Sequence, residues 1–506
     1  MRFTPALLTV LVAAGLSGCD AAPAPEAYRL VRNQPPASAA PDGLSPEAGD
    51  AGPLTDASGG LDALDDVGAL AQGGDAPDSA DDAEAADTRP NDAGAADTGT
   101  TETGTADGGP GEDDASGGDA TEPRGTFDDP HVASRWPYVR RHTTTDAPSN
   151  RIDRYGCAEA TSEAGPERVY RLEVETAGTL VAEVLEASGV DVDLHLLAAP
   201  PGTTDRTAPC VARDNTRLVR DVAAGTHWLV VDSYQRSDGS VAAGDYTLGV
   251  ELTVPDAWQV NQLSEGLTWK KKVYTSYAGG RQTINALEVD LAHHEVRPHY
   301  TGTCGRTSTV AAGLRAEAAI NGGFFDMSAG NCPALDLVKI AGVLKTPNSL
   351  TGAAQRCFGV DRDHAPMWRW VPAGADWAEA WHALGAYPNL VTAGAVDIVP
   401  EKTSDFFAGR HNRTALGLTA SGKVLLVTVD GRTSAGRGMT MRDLAQHMVS
   451  LGAVEAVNLD GGGSTTMWIP DGSVNGVVNY PSDNGAADHF GERRVSDLVV
   501  VLPRAP

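Results

Sequence analysis

Aromatic residues are scarce, 6% of the 506-residue chain, and only Phe3 and Tyr28 precede residue 125. A stretch that long with so little to bury cannot form a packed core. Positive charge is scarce as well: 39 Lys plus Arg face 68 Asp plus Glu, a net charge of −29, and no basic stripe interrupts the deficit. That excludes a nucleic-acid partner, whose phosphates such a chain repels. After the first twenty residues no apolar run approaches the roughly 18 residues that span a bilayer. The six cysteines follow no zinc spacing, and no helix carries a His-Glu-x-x-His pair. Neither an obligatory metal nor a cofactor is therefore expected.

What is present begins with an export pattern. Arg2 precedes an apolar stretch from Ala6 to Leu16, which ends in Leu16-Ser17-Gly18-Cys19. The pattern resembles the bacterial lipobox. It implies that residues 1–19 are a signal peptide and that Cys19 is acylated. The chain is then lipid-anchored in the cell envelope, outside the cytoplasm, in the periplasm or at the cell surface. Residues 20–130 are rich in Ala, Gly, Asp, Thr and Pro, without hydrophobic period, and read as a disordered acidic tether. Between Pro41 and Ala120 stand 21 acidic residues and one basic residue, Arg89, so the acidity belongs to the tether more than to the folded part. A flexible chain of that length reaches roughly 50 to 60 Å, enough to hold its cargo clear of a membrane.

The remainder suits two folded domains, giving a multidomain chain of tether, all-β sandwich and α+β domain. Over 134–254 short runs alternate with period two: Tyr170, Leu172, Val174; Leu180, Ala182, Val184; Val192, Leu194, Leu196; Tyr246, Leu248, Val250, Leu252. Turns such as Ala177-Gly178 separate them, as in an antiparallel sandwich. Gly165-Pro166-Glu167-Arg168-Val169-Tyr170, Asp191-Val192-Asp193-Leu194, Ala224-Gly225-Thr226 and Gly244-Asp245-Tyr246 resemble the pre-peptidase C-terminal domain family, accessory sandwiches of secreted enzymes. Asp191, Asp193 and Asp214 offer hard oxygen ligands of the kind calcium takes, but no EF-hand spacing, and read as turn and edge carboxylates. In an oxidising compartment Cys157 and Cys210 are expected to pair, with one further bridge among Cys304, Cys332 and Cys357.

From 258 to 506 the texture mixes strands and helices. Lys423 to Val429 is an apolar strand ending in Asp430-Gly431-Arg432. Thr440-Met441-Arg442-Asp443 opens a helix as a capping box, and Gly452 stops it. Ala453 to Leu459 is a second strand, ending in Asp460-Gly461-Gly462-Gly463-Ser464-Thr465-Thr466. A carboxylate at a strand end followed by glycines leaves backbone free to approach a ligand. For Asp430 that signal is shared with ordinary turn chemistry; three glycines and three hydroxyls after Asp460 exceed what a turn needs. The run lacks a Walker lysine, and Ser464 lacks the Gly-x-Ser-x-Gly elbow of a nucleophile. Arg413, Arg432 and the pair Arg493-Arg494 recur beside these corners, and guanidinium forks suit an anionic substrate. His411 and His489 lie near the same motifs, while His447 sits on the helix.

Asn321-Gly322-Gly323-Phe324-Phe325, Pro388-Asn389-Leu390-Val391, Arg413-Thr414-Ala415-Leu416-Gly417, Asp430-Gly431-Arg432, Asn458-Leu459-Asp460-Gly461-Gly462-Gly463-Ser464-Thr465-Thr466 and Arg494-Val495 occur in that order. Together they resemble the phosphodiester glycosidase family, over about 300–503. The resemblance implies hydrolysis of the glycosidic bond of a sugar-1-phosphodiester in a glycan or glycopolymer. Asp460 is then the leading carboxylate, Asp430 the second, and Arg432 belongs with them. Arg413 and Arg494 contact phosphate and sugar, with Asn321, Gly322, Gly323, Gly461, Gly462, Gly463, Ser464, Thr465 and Thr466 lining the substrate. The stretches Asn331 to Thr346 and Trp368 to Trp381 depart from the pattern where substrate loops fall. Two other functions fit the same residues: a phosphodiesterase breaking the P–O bond, or a cell-surface carbohydrate-binding protein without turnover.

Overall fold

The computed structural model describes residues 122–158, 160–349, 352–398 and 403–504. The lipobox with Cys19 and the tether up to residue 121 lie outside the described residues. Within the last stretch assigned to the tether, Phe127 is buried against Ile152 and Tyr155, its ring 6.1 Å from that of Trp228.

The alternation over 134–254 resolves into two sheets. In one, His131–Ala133, Glu167–Val174, Gly225–Ser233, Val192–Leu197 and Ala212–Asp214 lie side by side. In the other, the order is Tyr138–Thr143, Asp245–Thr253, Gly178–Glu186 and Arg217–Val222. Tyr170, Leu172, Leu194, Leu196, Leu248 and Val250 fill the core between them. Because the pleat sends successive residues to opposite faces, Val169, Leu197 and Val230 point away from this core, into a second apolar cluster with Ile152 and Tyr155. The first sheet is thus covered on both sides. The Cys157–Cys210 bridge forms as expected, Cys304 pairs with Cys332, and Cys357 is left as a buried thiol.

Downstream the chain is more β-rich than the α+β expectation. Three sheets of eight, four and five strands share one core, to which Leu287, Leu416 and Leu426 contribute from the first, Ile320 and Val499 from the second, and Phe358 and Leu384 from the third. Among the described residues the longest helix is Met441–Ser450. It opens on the predicted capping box: Thr440 Oγ1 accepts from the Asp443 N–H at 3.1 Å, and the Asp443 carboxylate accepts from the Thr440 N–H at 3.2 Å. Gly452, at φ +90°, ends it in the left-handed region that suits glycine. Met441, Leu444, Ala445 and Met448 cover the far face of the eight-stranded sheet, against Ala415, Leu425 and Val427. With both faces covered, Val424–Val429 is buried throughout, which is why its sequence is nearly continuous apolar rather than alternating.

One detail of topology positions the site. The strands Val424–Val429 and Ala453–Asn458 are joined through the helix, as predicted, but they are not neighbours. Arg413–Thr419 lies between them, antiparallel to each, with Arg413 opposite Val429 and Ala415 opposite Asn458. Both flanking strands therefore deliver their C-terminal ends to the edge at which Arg413 begins.

The sandwich and the C-terminal sheets belong to one compact unit. At their contact Lys271 meets Glu251, the Tyr480 hydroxyl donates to Glu251 at 3.3 Å, and Gly249 lies so close to Val474 that a Cβ there would stand 2.9 Å from it.

Candidate active site

Asp430 and Asp460 are both buried at this edge, 0% and 3% exposed. Asp430 Oδ1 accepts from the Tyr480 N–H at 3.0 Å and from Asn479 Nδ2 at 3.2 Å, while Oδ2 has no hydrogen-bond partner. Burial pushes its carboxyl up to about 7, against the lowering effect of those two donors. Burial likewise pushes Asp460 up to about 6, with the Ser464 hydroxyl, the Arg493 charge and the Gly461 N–H favouring the ionised form. Two carboxyls titrating close to neutrality at one edge suit proton transfer. Asn479 ties their loops together, since the nitrogen that bonds Asp430 also donates to the Thr465 carbonyl at 2.9 Å.

The glycines are explained mainly by close backbone approach. A Cβ on Gly461 would meet the Asn412 carbonyl at 2.7 Å, and one on Gly463 would overlap Asp483 and Arg493. Gly462, at φ +60°, faces Arg432, whose guanidinium would stand 3.2 Å from a Cβ. Gly322 and Gly323 lie against the last strand: their N–H groups donate to the Asp497 carbonyl at 2.9 Å and to Asp497 Oδ1 at 2.7 Å.

Several expected substrate ligands serve the frame instead. Asn321 is fully buried; its Nδ2 donates to the Asp460 carbonyl at 2.7 Å, and its Oδ1 accepts from the Thr414 hydroxyl at 2.8 Å and the Thr466 N–H at 3.1 Å. The Thr465 hydroxyl lies 3.3 Å from that of Thr414, to which it donates, since the Thr414 proton is engaged by Asn321. The expectation that Asn321 and Thr465 line the substrate is corrected accordingly, since both hold the Asp460 corner in place; Thr466 joins this frame through its N–H, while its hydroxyl is buried without a hydrogen-bond partner.

Of the arginines, Arg413 is buried, with Nε donating to the Met439 carbonyl at 2.8 Å and Nη2 to those of Phe406 and Gly409 at 2.9 and 3.0 Å. Burial and the nearby Arg432 charge lower its pKa to about 9. Among the described residues no carboxylate forms an ion pair with it, and its three carbonyl contacts make it a buried framework cation that adds positive charge behind Arg432. Arg432, at φ +61°, donates through Nη2 to His411 Nδ1 at 3.1 Å. His411 Nε2 in turn stands 2.9 Å from Asp405, an arrangement that fits a neutral ring protonated on Nε2.

Arg494 does not join the site. It is exposed at the start of its strand, and its neighbour Arg493 lies over Gly463, paired with Asp483 at 2.6 Å. Arg493 belongs to the segment just before the strand, which Asp483 holds against Gly463, so the expectation is displaced by one position. Sequence reasoning also missed Asn479, Asp497 and Asp336. The last two are wholly buried carboxyls, raised to about 6 and about 8, Asp336 by burial and then by the charge of Asp497. An aspartate inside the apolar run from Val495 to Val501 was the available signal for Asp497. His489 stands at the sandwich contact, its Nδ1 2.9 Å from the Asn479 carbonyl, and His447 is buried against Tyr277.

Residues 314–502 match a family model described as phosphodiester glycosidase. The chain is 29% identical over 230 residues to human N-acetylglucosamine-1-phosphodiester alpha-N-acetylglucosaminidase, covering 41% of this chain and 42% of that protein. The mouse protein of the same name is 30% identical over 213 residues, 38% of each chain. The chain thus spans about two fifths of the length of these curated relatives. The solved catalytic domain of the zebrafish protein, auto-inhibited by its pro-peptide, aligns at 21% identity with a TM-score of 0.39, covering 50% of this chain and 89% of that one. Residues 314–502 are thus the part of the chain that carries the likeness to the phosphodiester glycosidase family.

Proposed function

We propose that the C-terminal region hydrolyses the bond between an anomeric carbon and the phosphate oxygen of a sugar-1-phosphodiester, in a glycan or glycopolymer outside the cytoplasm. The observation that carries this reading is the gathering of Asp430, Asp460 and Arg432 at one sheet edge, two buried carboxyls beside cationic groups. In the reaction, water adds its oxygen to the anomeric carbon and its proton passes to the Asp460 carboxylate. The C–O bond breaks, and its electron pair leaves with the phosphate. Phosphate is a weak base, so its departure needs less acid assistance than that of an alcohol. Arg432 and Arg413 balance the charge, and Asp430, which keeps its proton up to about pH 7, donates a hydrogen bond to the leaving group. On this reading the acylated Cys19 anchors the enzyme to the membrane, the acidic tether gives it reach, and the sandwich is an accessory domain.

The test is release of free sugar from N-acetylglucosamine joined through phosphate to a simple alcohol, run with the full chain in ¹⁸O-labelled water. Label in the sugar, lost in Asp460→Asn, is the expected result. Label in the phosphate would replace the glycosidase by a phosphodiesterase. Binding without release across a panel of sugars would leave a carbohydrate-binding protein.

A further inference from the structure

The sandwich contains a cluster that neither its packing nor the proposed reaction explains. Asp193 and His195 lie on Val192–Leu197, two residues apart and so on one face of the sheet. That face is opposite to Leu194 and Leu196, which fill the sandwich core. Glu163 arrives from the segment that precedes Glu167–Val174. The three side chains are 0%, 1% and 0% exposed, and one donor atom from each falls within 4.8 Å of the others. The Tyr155 ring stacks on His195 at 3.5 Å, with 8° between the planes.

Their polar atoms are left without partners. Both Glu163 oxygens, Asp193 Oδ1 and both ring nitrogens of His195 make no hydrogen bond, and all are buried. Asp193 Oδ2 alone is engaged, with Arg213 Nη2 at 2.7 Å; Arg213 and His195 stand 3.8 and 3.9 Å from Glu163. An unmet buried polar group is destabilising, so five in one place call for something that satisfies several together. A proton shared between the two carboxyls answers only part of this. Burial and the contact with Asp193 do push Glu163 up to about 9, but the imidazole nitrogens stay orphaned.

We propose that Glu163, Asp193 and His195 bind a divalent transition-metal ion of the zinc class. An imidazole nitrogen with two carboxylate oxygens is a borderline donor set that zinc accepts. Calcium takes six or more oxygens and is a poor fit. Asp193 presents Oδ1 to the ion while Arg213 holds Oδ2, the outer-shell arrangement that fixes a ligating carboxylate. Of the three aspartates noted in the sequence only Asp193 falls in this cluster, and Asp214 Oδ1 is occupied by the N–H groups of Thr216 and Arg217. The ion's role is structural: it ties the Glu163 segment to the sheet beside the Cys157–Cys210 bridge, on elements that supply none of the carboxyls of the candidate active site.

The test uses the full chain, stripped with a chelator, dialysed and titrated with Zn²⁺. Bound metal is counted by mass spectrometry of the element and Tm is followed by calorimetry. The expected result is an uptake larger by one equivalent per chain in the wild type than in His195→Gln. A Zn²⁺-dependent rise in Tm of about 3 °C or more should also disappear in that variant. Glu163→Gln keeps the shape of the site and removes one charge, so it should fold without metal, confirmed by far-UV circular dichroism, and also lose the equivalent. Equal zinc uptake by wild type and Glu163→Gln, or no uptake by the stripped wild type, overturns the proposal.

Discussion

Lys271 Nζ lies 2.6 Å from Glu251 Oε2, and both groups are buried where the sandwich meets the C-terminal sheets. The Tyr480 hydroxyl donates to the same oxygen, and the Tyr480 N–H donates to Asp430. Burial alone would push Glu251 up, but Lys271 and His489 hold its carboxyl well below the usual carboxylate range. Its contribution to stability is therefore present above that range and is lost as the solution is acidified through the depressed value. Lys271→Met, which strands the carboxylate, should destabilise by about 3–5 kcal/mol. The double variant Lys271→Met/Glu251→Leu should regain most of this, as read from urea unfolding midpoints.

On the proposed reaction, Asp430 and Asp460 set the pH dependence of turnover. With Asp460 ionising at about 6 and Asp430 keeping its proton to about 7, kcat/KM for sugar release should rise through the first value and fall through the second. Asn479→Ala removes a donor that favours charged Asp430, so the alkaline limb should move to higher pH. A limb that stays in place would mean that Asp430 is not the group it reports.

Arg493 and Arg494 give a sharp contrast. Arg493 favours ionised Asp460, so Arg493→Ala should shift the acid limb upward and lower kcat/KM on the order of tenfold, equivalent to about 1.4 kcal/mol. Arg494→Ala, altering an exposed side chain, should leave the profile unchanged. Steady-state kinetics at three pH values separates the two.

Asp336 offers a stability test. Its carboxyl is raised to about 8, so its contribution is fully present below the usual carboxylate range and is lost as pH rises through about 8. Asp336→Asn cannot ionise. Relative to the wild type it should be more stable at pH 9 than at pH 5 in chemical denaturation.

The local signals in the sequence were strong where the cause is local. The capping box at Thr440 and Asp443, the helix stop at Gly452, the alternation of Tyr170, Leu172 and Val174, and the Asp-Gly corners at Asp430 and Asp460 each follow from neighbouring residues. The insertion of Arg413–Thr419 between the two corner strands does not, because strand order depends on pairings distant in sequence. For the same reason Asp336 and Asn479 gave no sign of their place near the carboxylates. Arg493 rather than Arg494 reaches Gly463 because the segment before the strand is held by Asp483, a tertiary pairing that composition does not encode. The unpartnered nitrogens of His195 became visible only when Glu163, thirty-two positions earlier, was seen beside it.

The strand Arg494–Pro503 pairs with His294–Arg306 on one side and Ala318–Asn321 on the other, and its Asp497 receives the Gly322 and Gly323 N–H groups. Residues nearly two hundred positions apart thus complete each other. While the chain is being synthesised, neither glycine N–H has its acceptor on Asp497, one the main-chain carbonyl and the other the carboxylate, until that residue emerges. The Asp460 corner, whose N–H donates to the Gly322 carbonyl, gains this support last, and a protease cut ahead of Arg494 is expected to loosen it again.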